Sequence, residues 1–217
     1  MKKRILIIGA CGQIGTELTL YLRNKFGSHK VIASDIREGE EELMKSGPFE
    51  ILDAMDYNAV EEVVIRHEIT DVYLMAAMLS ATVYGISKQT GERWCEYYYN
   101  RYGVDVRSIR YPGLISYKTL PGGGTTDYAV DIYHKALKHK KYICFLNGET
   151  TLPMMFMDDA IKATVDIMET EKEKIKIRSS YNLSAMSFNP EEITESIQKH
   201  IPEFKISYDP DFRQAIA

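Results

Sequence analysis

One short segment near the start constrains this chain more than any other: three glycines spaced GxxGxxG between a strand pattern and a helix pattern. The apolar run Ile5 to Ile8 predicts a buried strand, and Gln13 to Phe26 has helical periodicity. Gly9 permits a tight turn, Gly12 lets backbone amides approach a ligand, and Gly15 lets the helix pack closely on the strand. The segment therefore predicts a phosphate-binding turn at the N-terminus of a helix.

An acidic residue follows the second strand at the spacing that a dinucleotide site needs. The strand Val31 to Ala33 leads to Asp35, which stands 20 residues after Gly15. A carboxylate there can accept both ribose hydroxyls of an adenosine and would repel a 2′-phosphate, which favours NAD over NADP. Arg37 is close enough to weaken this preference without reversing it.

Two further strand ends carry candidate cofactor contacts. Asp53 and Ala54 follow the third strand, where a side chain can meet the adenine edge, although a turn aspartate is an equal interpretation. Ala76 and Ala77 end the fourth strand; their small size suits a close cofactor but is also common in a core. The predicted contacts from this half are Gly9, Gly12, Gln13, Ile14, Gly15, Asp35, Ile36, Arg37, Asp53, Ala54, Ala76 and Ala77.

Short apolar strands alternate with helical patterns, which predicts an α/β fold with a Rossmann-like, doubly wound parallel sheet. The other strands of the first half are predicted at 49–52 and 72–77, with helices at 38–44 and 58–67. Later predictions are helices at 83–102, from 127, at 158–168 and at 189–201, the last capped by Ser187 or Asn189, and strands at 105–110 and 142–145. We expect residues 1–115 to form the NAD-binding domain and 116–217 a smaller substrate lobe, some of whose helices return to the first sheet.

Composition excludes several classes of function. The 27 Lys and Arg against 31 Asp and Glu give a net charge of -4, so no basic field for nucleic acid exists. No apolar run approaches the ~20 residues that span a bilayer, so no membrane association is expected. The 3 cysteines are an odd number lying far apart, which fits neither a disulfide framework nor paired zinc ligands. A reducing, cytoplasmic location is predicted.

Tyr84 and Lys88 stand four residues apart on the predicted helix 83–102 and so share one face. A neighbouring cation stabilises a phenolate, which makes Tyr84 a candidate base for removing a proton from a substrate alcohol while hydride leaves for nicotinamide. Lys88 would also hydrogen-bond the nicotinamide ribose. Tyr21 and Lys25 have the same spacing on the first helix, where we expect a solvated face. A surface ion pair with an aromatic core stripe remains the alternative for Tyr84 and Lys88.

These motifs resemble the extended short-chain dehydrogenase/reductase superfamily, in its NAD-dependent epimerase/dehydratase group. Within it, residues 9–15, 74–81, 110–115 and 121–129 are most similar to the short-chain L-threonine 3-dehydrogenase family, and the similarity covers nearly the whole chain. The resemblance implies that NAD oxidises the β-hydroxyl of L-threonine to 2-amino-3-oxobutanoate without a metal, in a homodimer.

The same resemblance implies residue roles. Tyr84 is the base and Lys88 its partner, while Tyr111 and Pro112 contact the cofactor. The predicted substrate contacts are Ser80, Tyr84, Gly124, Thr125 and Thr126. Hydroxyls and the amides of a Gly-rich turn can bind a small carboxylate, although residues 122–124 can also be read as a flexible loop.

One departure from that family falls inside the chain. Family members continue after the equivalent of Ala81 through a helix and a strand that ends in a catalytic Ser or Thr, whereas Thr82 follows Ala81 directly here. A crossover into a parallel sheet needs at least about 10–12 residues. Either the natural protein has residues that this sequence omits, which we expect, or the chain is a shortened relative of doubtful activity. The sequence also stops at Ala217, where the family continues.

Two other functions stay open. A nucleotide-sugar epimerase or dehydratase shares the cofactor end but should carry Arg or Lys for a diphosphate, and residues 122–128 contain neither. A catalytically inactive NAD-binding relative would bind the cofactor and turn nothing over.

Overall fold

The computed structural model describes residues 3–75, 84–118 and 120–217, with the backbone alone at 84–87 and 89. The chain divides into two compact units, Met1–Thr90 and Gly91–Ala217. The sequence predicts a boundary after residue 115 between a cofactor-binding domain and a substrate lobe. That boundary divides the chain by function rather than by compactness, and it stays a prediction.

The first unit is a parallel sheet with intervening helices. Its elements are β1 (Ile5–Ile8), α1 (Gln13–Phe26), β2 (Val31–Asp35), α2 (Glu41–Lys45), β3 (Phe49–Ile51), α3 (Tyr57–Arg66), β4 (Asp71–Leu74) and the start of α4 (Tyr84–Tyr102). The strand order is β3-β2-β1-β4, and every pair is parallel. All four residues of β1 are buried, as a central strand requires. The predicted Rossmann-like sheet is confirmed, with the chain reversing direction across the sheet at β1.

A buried arginine ties α1 to its neighbours. Arg23 donates from Nε to the carbonyl of Val31 at 3.2 Å and from Nη1 to the carbonyl of Leu43 at 2.9 Å. It also donates to Ser46 and to the carbonyl of Pro48. Burial lowers the pKa of this guanidinium to about 10. A single cation therefore joins the end of α1 to the start of β2 and the end of α2.

The described residues of the second unit form three small sheets. Its elements after α4 are β5 (Ile109–Arg110), β6 (Gly113–Ile115), α5 (Tyr128–His139), β7 (Lys141–Cys144), β8 (Leu152–Phe156), α6 (Met157–Glu169), β9 (Tyr181–Asn182), β10 (Met186–Phe188), α7 (Pro190–Gln198) and β11 (Lys205–Tyr208). The sheets are β10-β8-β6, β11-β7 and β5-β9. The core that the β10-β8-β6 and β11-β7 sheets share includes Tyr128, Ile132, Met154 and Phe204, each fully buried.

Two arginines of this unit pair with the same carboxylate, that of Asp105. Arg107 donates from Nη2 to Oδ2 of Asp105 at 2.7 Å, and Arg178 donates to Oδ1. Arg107 also donates to the carbonyl of Thr170 at 2.6 Å, beyond the last turn of α6, and Arg178 stacks 4.1 Å from the ring centroid of Tyr99. These hydrogen bonds, those from Arg107 first, lower the pKa of Asp105. We call Asp105, Arg107 and Arg178 the arginine hub.

Two sequence expectations for this unit need adjustment. The strand predicted over 105–110 extends only from Ile109 to Arg110, because Asp105 and Arg107 belong to the arginine hub rather than to a ladder. The last helix is capped by Asn189, which accepts from the amide of Glu192 at 2.9 Å, as one of the two predicted caps. It ends at Gln198, three residues before the predicted end.

No helix within the described ranges is long and apolar enough to cross a membrane. In the same part of the chain, no group of three or more His, Cys, Asp or Glu side chains is arranged to hold a metal ion. Cys11, Cys95 and Cys144 are all free thiols.

Candidate active site

The glycine segment forms a tight turn pinned to the neighbouring strand. Gly9 has φ 88°, a conformation that favours glycine. The amides of Gly9 and Ala10 both donate to the carbonyl of Ser34 at 2.9 Å. The turn thus leaves β1 at the carboxyl end of the sheet, beside the end of β2, where ligands bind in doubly wound folds.

The glycines at positions 12 and 15 have different reasons to lack a side chain. A Cβ at Gly15 would lie 2.1 Å from the carbonyl oxygen of Gly9 and 2.9 Å from Cα of Ala10, so internal packing excludes it. A Cβ at Gly12 would lie 3.5 Å from the same oxygen, which is an ordinary contact. Gly12, the N-cap residue of α1, is exposed and has no side chain with which to cap the helix. The open, uncapped helix start fits a pyrophosphate.

Asp35 is held next to this turn by backbone donors. Its Oδ2 accepts from the amide of Cys11 at 3.0 Å, and its Oδ1 accepts from the amide of Ile36 at 2.8 Å. The Cys11 thiol lies against the carbonyl of Arg37 at 3.5 Å. Burial, and then the negative charge of Asp35, raise the pKa of this thiol to about 11. The acid and the glycine turn are therefore one preorganised unit, with Ile36 and Arg37 exposed beside it.

The adenine-side candidates are exposed at the end of β3. Asp53 accepts from the amide of Met55 at 2.9 Å through Oδ1, the geometry of a turn aspartate. Asp53 and Ala54 are both exposed, so the turn and an adenine contact are compatible. Ala76 and Ala77 lie outside the described residues.

The predicted reactive pair lies at the start of α4. The helix begins at Tyr84, and Lys88, one turn later, is exposed. The side chain of Tyr84 and the whole of Ser80 lie outside the described part of the chain. The helix is confirmed to carry both positions, and their roles stay predictions.

Tyr111 and Pro112 follow β5. The Tyr111 hydroxyl is hydrogen-bonded to the hydroxyl of Thr164 on α6, and burial raises the pKa of the phenol. This hydrogen bond fixes the orientation of the Tyr111 ring, and its contact with a cofactor stays a prediction.

The Gly-rich loop has a defined structure. Oδ2 of Asp127 accepts from the amides of Gly123 and Gly124, both at 2.7 Å. These two amides are therefore engaged within the loop, and the roles of Gly124, Thr125 and Thr126 toward a substrate stay predictions. Thr126 is fixed against β6, because a Cβ at Gly113 would lie 2.6 Å from the Thr126 side chain.

One contact of α4 was not predicted from the sequence. Arg110 on β5 forms a two-pronged ion pair with Glu92 on α4, with Nε donating to Oε1 at 2.5 Å and Nη2 donating to Oε2. The available signal was spacing: Glu92 stands four residues after Lys88 and eight after Tyr84, on the same helix face. Its partner, 18 residues further along the chain, had no such signal.

Comparison with known proteins gives similarities over nearly the whole chain. An uncharacterized epimerase/dehydratase of Staphylococcus aureus (strain MRSA252) is 40% identical, covering 99% of this chain and 86% of its own. Mitochondrial L-threonine 3-dehydrogenase of Bos taurus is 38% identical, covering 100% and 74%. The solved L-threonine dehydrogenase of Clostridium difficile superposes with a TM-score of 0.95 at 39% identity, covering 99% and 86%.

The match to a family model completes the comparison. The bovine alignment runs over 275 positions, against 217 residues in this chain. The model of the NAD dependent epimerase/dehydratase family matches in two stretches, residues 5–82 and 80–184. Since these stretches cover most of the sequence, the chain belongs to the NAD dependent epimerase/dehydratase family.

Proposed function

We propose that this protein is an NAD-dependent L-threonine 3-dehydrogenase that oxidises the β-hydroxyl of L-threonine to 2-amino-3-oxobutanoate. The observation that carries the proposal is the pairing of a bare helix start at Gly12 with a fixed acid at Asp35, in a chain 38% identical to the bovine enzyme of that name. The amides at the start of α1, including Gln13 and Ile14, would hold the pyrophosphate. Asp35 would accept the ribose hydroxyls.

The preference for NAD rests on the Asp35 carboxylate. A 2′-phosphate placed there would meet a negative charge that two backbone amides already hold in position. We expect Asp35→Asn to lower the ratio of kcat/KM for NAD to that for NADP by about tenfold or more, since repulsion is removed and a ribose acceptor is weakened. Asp56→Asn is the matched control, because asparagine also caps α3 and position 56 is outside the predicted contacts.

The chemistry needs one base and one alcohol. NAD, when bound, supplies the acceptor for the hydride that leaves the β-carbon. Tyr84 would take the hydroxyl proton, and the Lys88 ammonium would stabilise the resulting phenolate and bind the nicotinamide ribose. Ser80, Thr125 and Thr126 would bind the amino-acid carboxylate or hydroxyl.

The direct test is NADH formation from L-threonine, followed by absorbance. We expect Tyr84→Phe to abolish turnover while NADH binding, measured by fluorescence, is retained. Tyr21→Phe is the matched control, since Tyr21 precedes Lys25 by four residues on α1 and is 41% exposed. Full activity in Tyr84→Phe, or turnover of a sugar nucleotide with none of threonine, would refute the proposal.

We also infer that relatives carry an internal segment that this chain lacks between Ala81 and Thr82. The inference is supported by the two family matches, which meet at residues 80–82, and by an alignment longer than the chain. In the resembling family that segment ends in a catalytic Ser or Thr. A chain without it favours a second function: NAD binding without turnover.

Two measurements separate these functions. The natural protein, purified from its source, should have an intact mass well above 24.9 kDa if the sequence omits residues. If the mass is 24.9 kDa, NADH binding without NADH formation from threonine supports the inactive relative.

A homodimer and a cytoplasmic location complete the proposal. The aromatic surface of α4, defined by Trp94, Tyr97, Tyr98 and Tyr102, is 46–61% exposed, with ring centroids 5.5–6.0 Å apart. Such a patch favours an interface with a second copy. Light scattering should give twice the chain mass, and Tyr98→Glu should halve it; a monomer in both cases would contradict the dimer.

The three free thiols support a reducing compartment, testable by cell fractionation.

A further inference from the structure

The ion pair between Arg110 and Glu92 joins α4, which carries the predicted reactive pair, to the strand that leads to the predicted cofactor contacts Tyr111 and Pro112. Both carboxylate oxygens of Glu92 accept from the guanidinium, in the two-pronged geometry that fixes orientation as well as distance. The Glu92 side chain is 12% exposed and that of Arg110 is 55% exposed. The hydrogen bonds from Arg110 are the first cause of the lowered pKa of Glu92.

Arg110 is itself fixed in the second unit. It pairs with Asn182 in the β5–β9 ladder, and its carbonyl accepts from the amide of Leu183 at 3.0 Å. Nη1 also reaches Oδ1 of Asn182 at 3.4 Å. The residue that follows it is Tyr111. A rotation of α4 about its axis would therefore break a contact anchored on a two-stranded sheet.

The charge of Glu92 has a consequence for its own helix. Glu92 is one turn after Lys88, the spacing at which a carboxylate attracts an ammonium along a helix. Tyr84 is one turn before Lys88, so an unneutralised Glu92 would draw the ammonium in the opposite direction. The charge of Arg110 lowers the pKa of Glu92 more than that of Arg93 does, and Arg93 itself pairs with Glu96 at 3.1 Å.

We propose that Arg110, acting through Glu92, is a positioning residue that neutralises this carboxylate and fixes the helix face, so that the Lys88 ammonium serves Tyr84 and the nicotinamide ribose. The inference rests on the proposed function for the roles of Tyr84 and Lys88. A partly exposed ion pair adds little to stability, so the effect of Arg110 falls on orientation and charge.

The test compares Arg110→Gln with the double variant Arg110→Gln/Glu92→Gln. We expect Arg110→Gln to lower kcat by about 10- to 100-fold and to raise the KM for NAD, because a stray carboxylate displaces the Lys88 ammonium. The double variant lacks the ion pair too, but it also lacks the stray charge, so most of kcat and the KM for NAD should recover. Arg110→Lys, which keeps a cation, should lie between the unsubstituted protein and Arg110→Gln.

Melting temperatures, compared with kcat values, distinguish a positioning role of Arg110 from a purely structural one. Both variants lose the same ion pair, but Arg110→Gln also leaves the 12%-exposed Glu92 carboxylate unpaired, so we expect it to melt slightly below the double variant. The kcat values, measured well below both melting temperatures where each variant is fully folded, should still differ. If the double variant is as slow as Arg110→Gln, Arg110 is only structural and the inference is overturned. Arg93→Gln is the control, because it removes a neighbouring helix arginine that is 71% exposed, and it should leave kcat unchanged.

NADH binding keeps the inference testable if the proposed activity fails. Where the unsubstituted protein binds NADH but forms none from threonine, the proposed function fails, and the inference is judged on the dissociation constant for NADH. Arg110→Gln should weaken binding several-fold, and the double variant should restore it. Equal affinities in all three proteins, or no NADH binding by the unsubstituted protein, would overturn the inference.

Discussion

The candidate residues of the two compact units are held in place by different means. The nucleotide end, in the first unit, is made of backbone: amides of Gly9 and Ala10 on one carbonyl, and an open glycine at the start of α1. The side-chain end, in the second unit, comprises β5 and the part of α4 from Gly91 onward, and it is held by long side chains, in the Arg110–Glu92 pair and in the arginine hub. A region built from backbone groups tolerates few substitutions at the glycines that form it. A region held by side chains depends instead on contacts between residues that lie far apart in the sequence.

The largest expected effect separates two glycines of the backbone end. Gly15→Ala places a Cβ 2.1 Å from the Gly9 carbonyl oxygen, so we expect a loss of about 3 kcal/mol or more in the free energy of unfolding, measured by urea denaturation. Gly12→Ala has room for its Cβ at 3.5 Å and should change stability by less than about 1 kcal/mol while weakening NADH binding. Equal stability losses would show that the two glycines serve the same purpose.

A smaller effect is expected in the side-chain end. Asp105→Asn leaves two arginines without a counter-charge, and we expect a loss of about 2 kcal/mol at pH 7, less than for a fully buried pair because this side chain is 36% exposed. Since folding lowers the pKa of Asp105, its contribution is present above the unfolded pKa of about 3.9 and disappears as the pH falls through the folded value. The variant and the unsubstituted protein should therefore converge in stability below that range.

Asp166→Asn is the matched control for the hub. It removes a surface ion pair with Lys162, whose side chains are 58% and 70% exposed, and should cost less than about 0.5 kcal/mol. A hub variant no less stable than this control would show that the arginine hub does not hold the second unit together.

The smallest expected effect is a change in the rate at which the Cys11 thiol, in the first unit, reacts with an alkylating reagent. Because the pKa of Cys11 is raised to about 11, we expect this thiol to react slowly with iodoacetamide at pH 8, as followed by peptide mass spectrometry. Asp35→Asn removes the second cause of the shift and should raise the rate by about 3- to 10-fold, leaving burial, the first cause, in place. Cys144, fully buried, should stay unreactive in both proteins; a Cys11 rate unaffected by Asp35→Asn would contradict the proposed coupling.

Local signals predicted the first unit well. The helix Gln13–Phe26 and the strand Ile5–Ile8 were predicted with the bounds that the structure has, because strict periodicity and glycine boundaries act within a few residues. In the second unit, β9 has two residues and β10 has three, and both pair with strands far away in the sequence. Such short strands have no periodicity to detect, so neither was predicted.

The candidate site shows the same division. Gly12 and Asp35 could be found from their spacing, since the turn and the strand end that carry them are local. The engagement of the Gly123 and Gly124 amides by Asp127 is also local, yet a Gly-rich run by itself gives no sign of which carboxylate will accept from it. Arg110 could not be assigned to Glu92, because pairing across 18 residues depends on where β5 lies.

The 19 residues of α4 run through the boundary between the compact units, which falls after Thr90. A protease cut or a gene split at that boundary would leave two partial helices with frayed ends, and neither piece would keep its hydrogen-bonding partners. Attempts to produce the halves as separate fragments should therefore place the junction beyond Tyr102, so that the helix stays whole. Recombination with related proteins is subject to the same restriction, and exchanges that preserve this helix intact should be tolerated best.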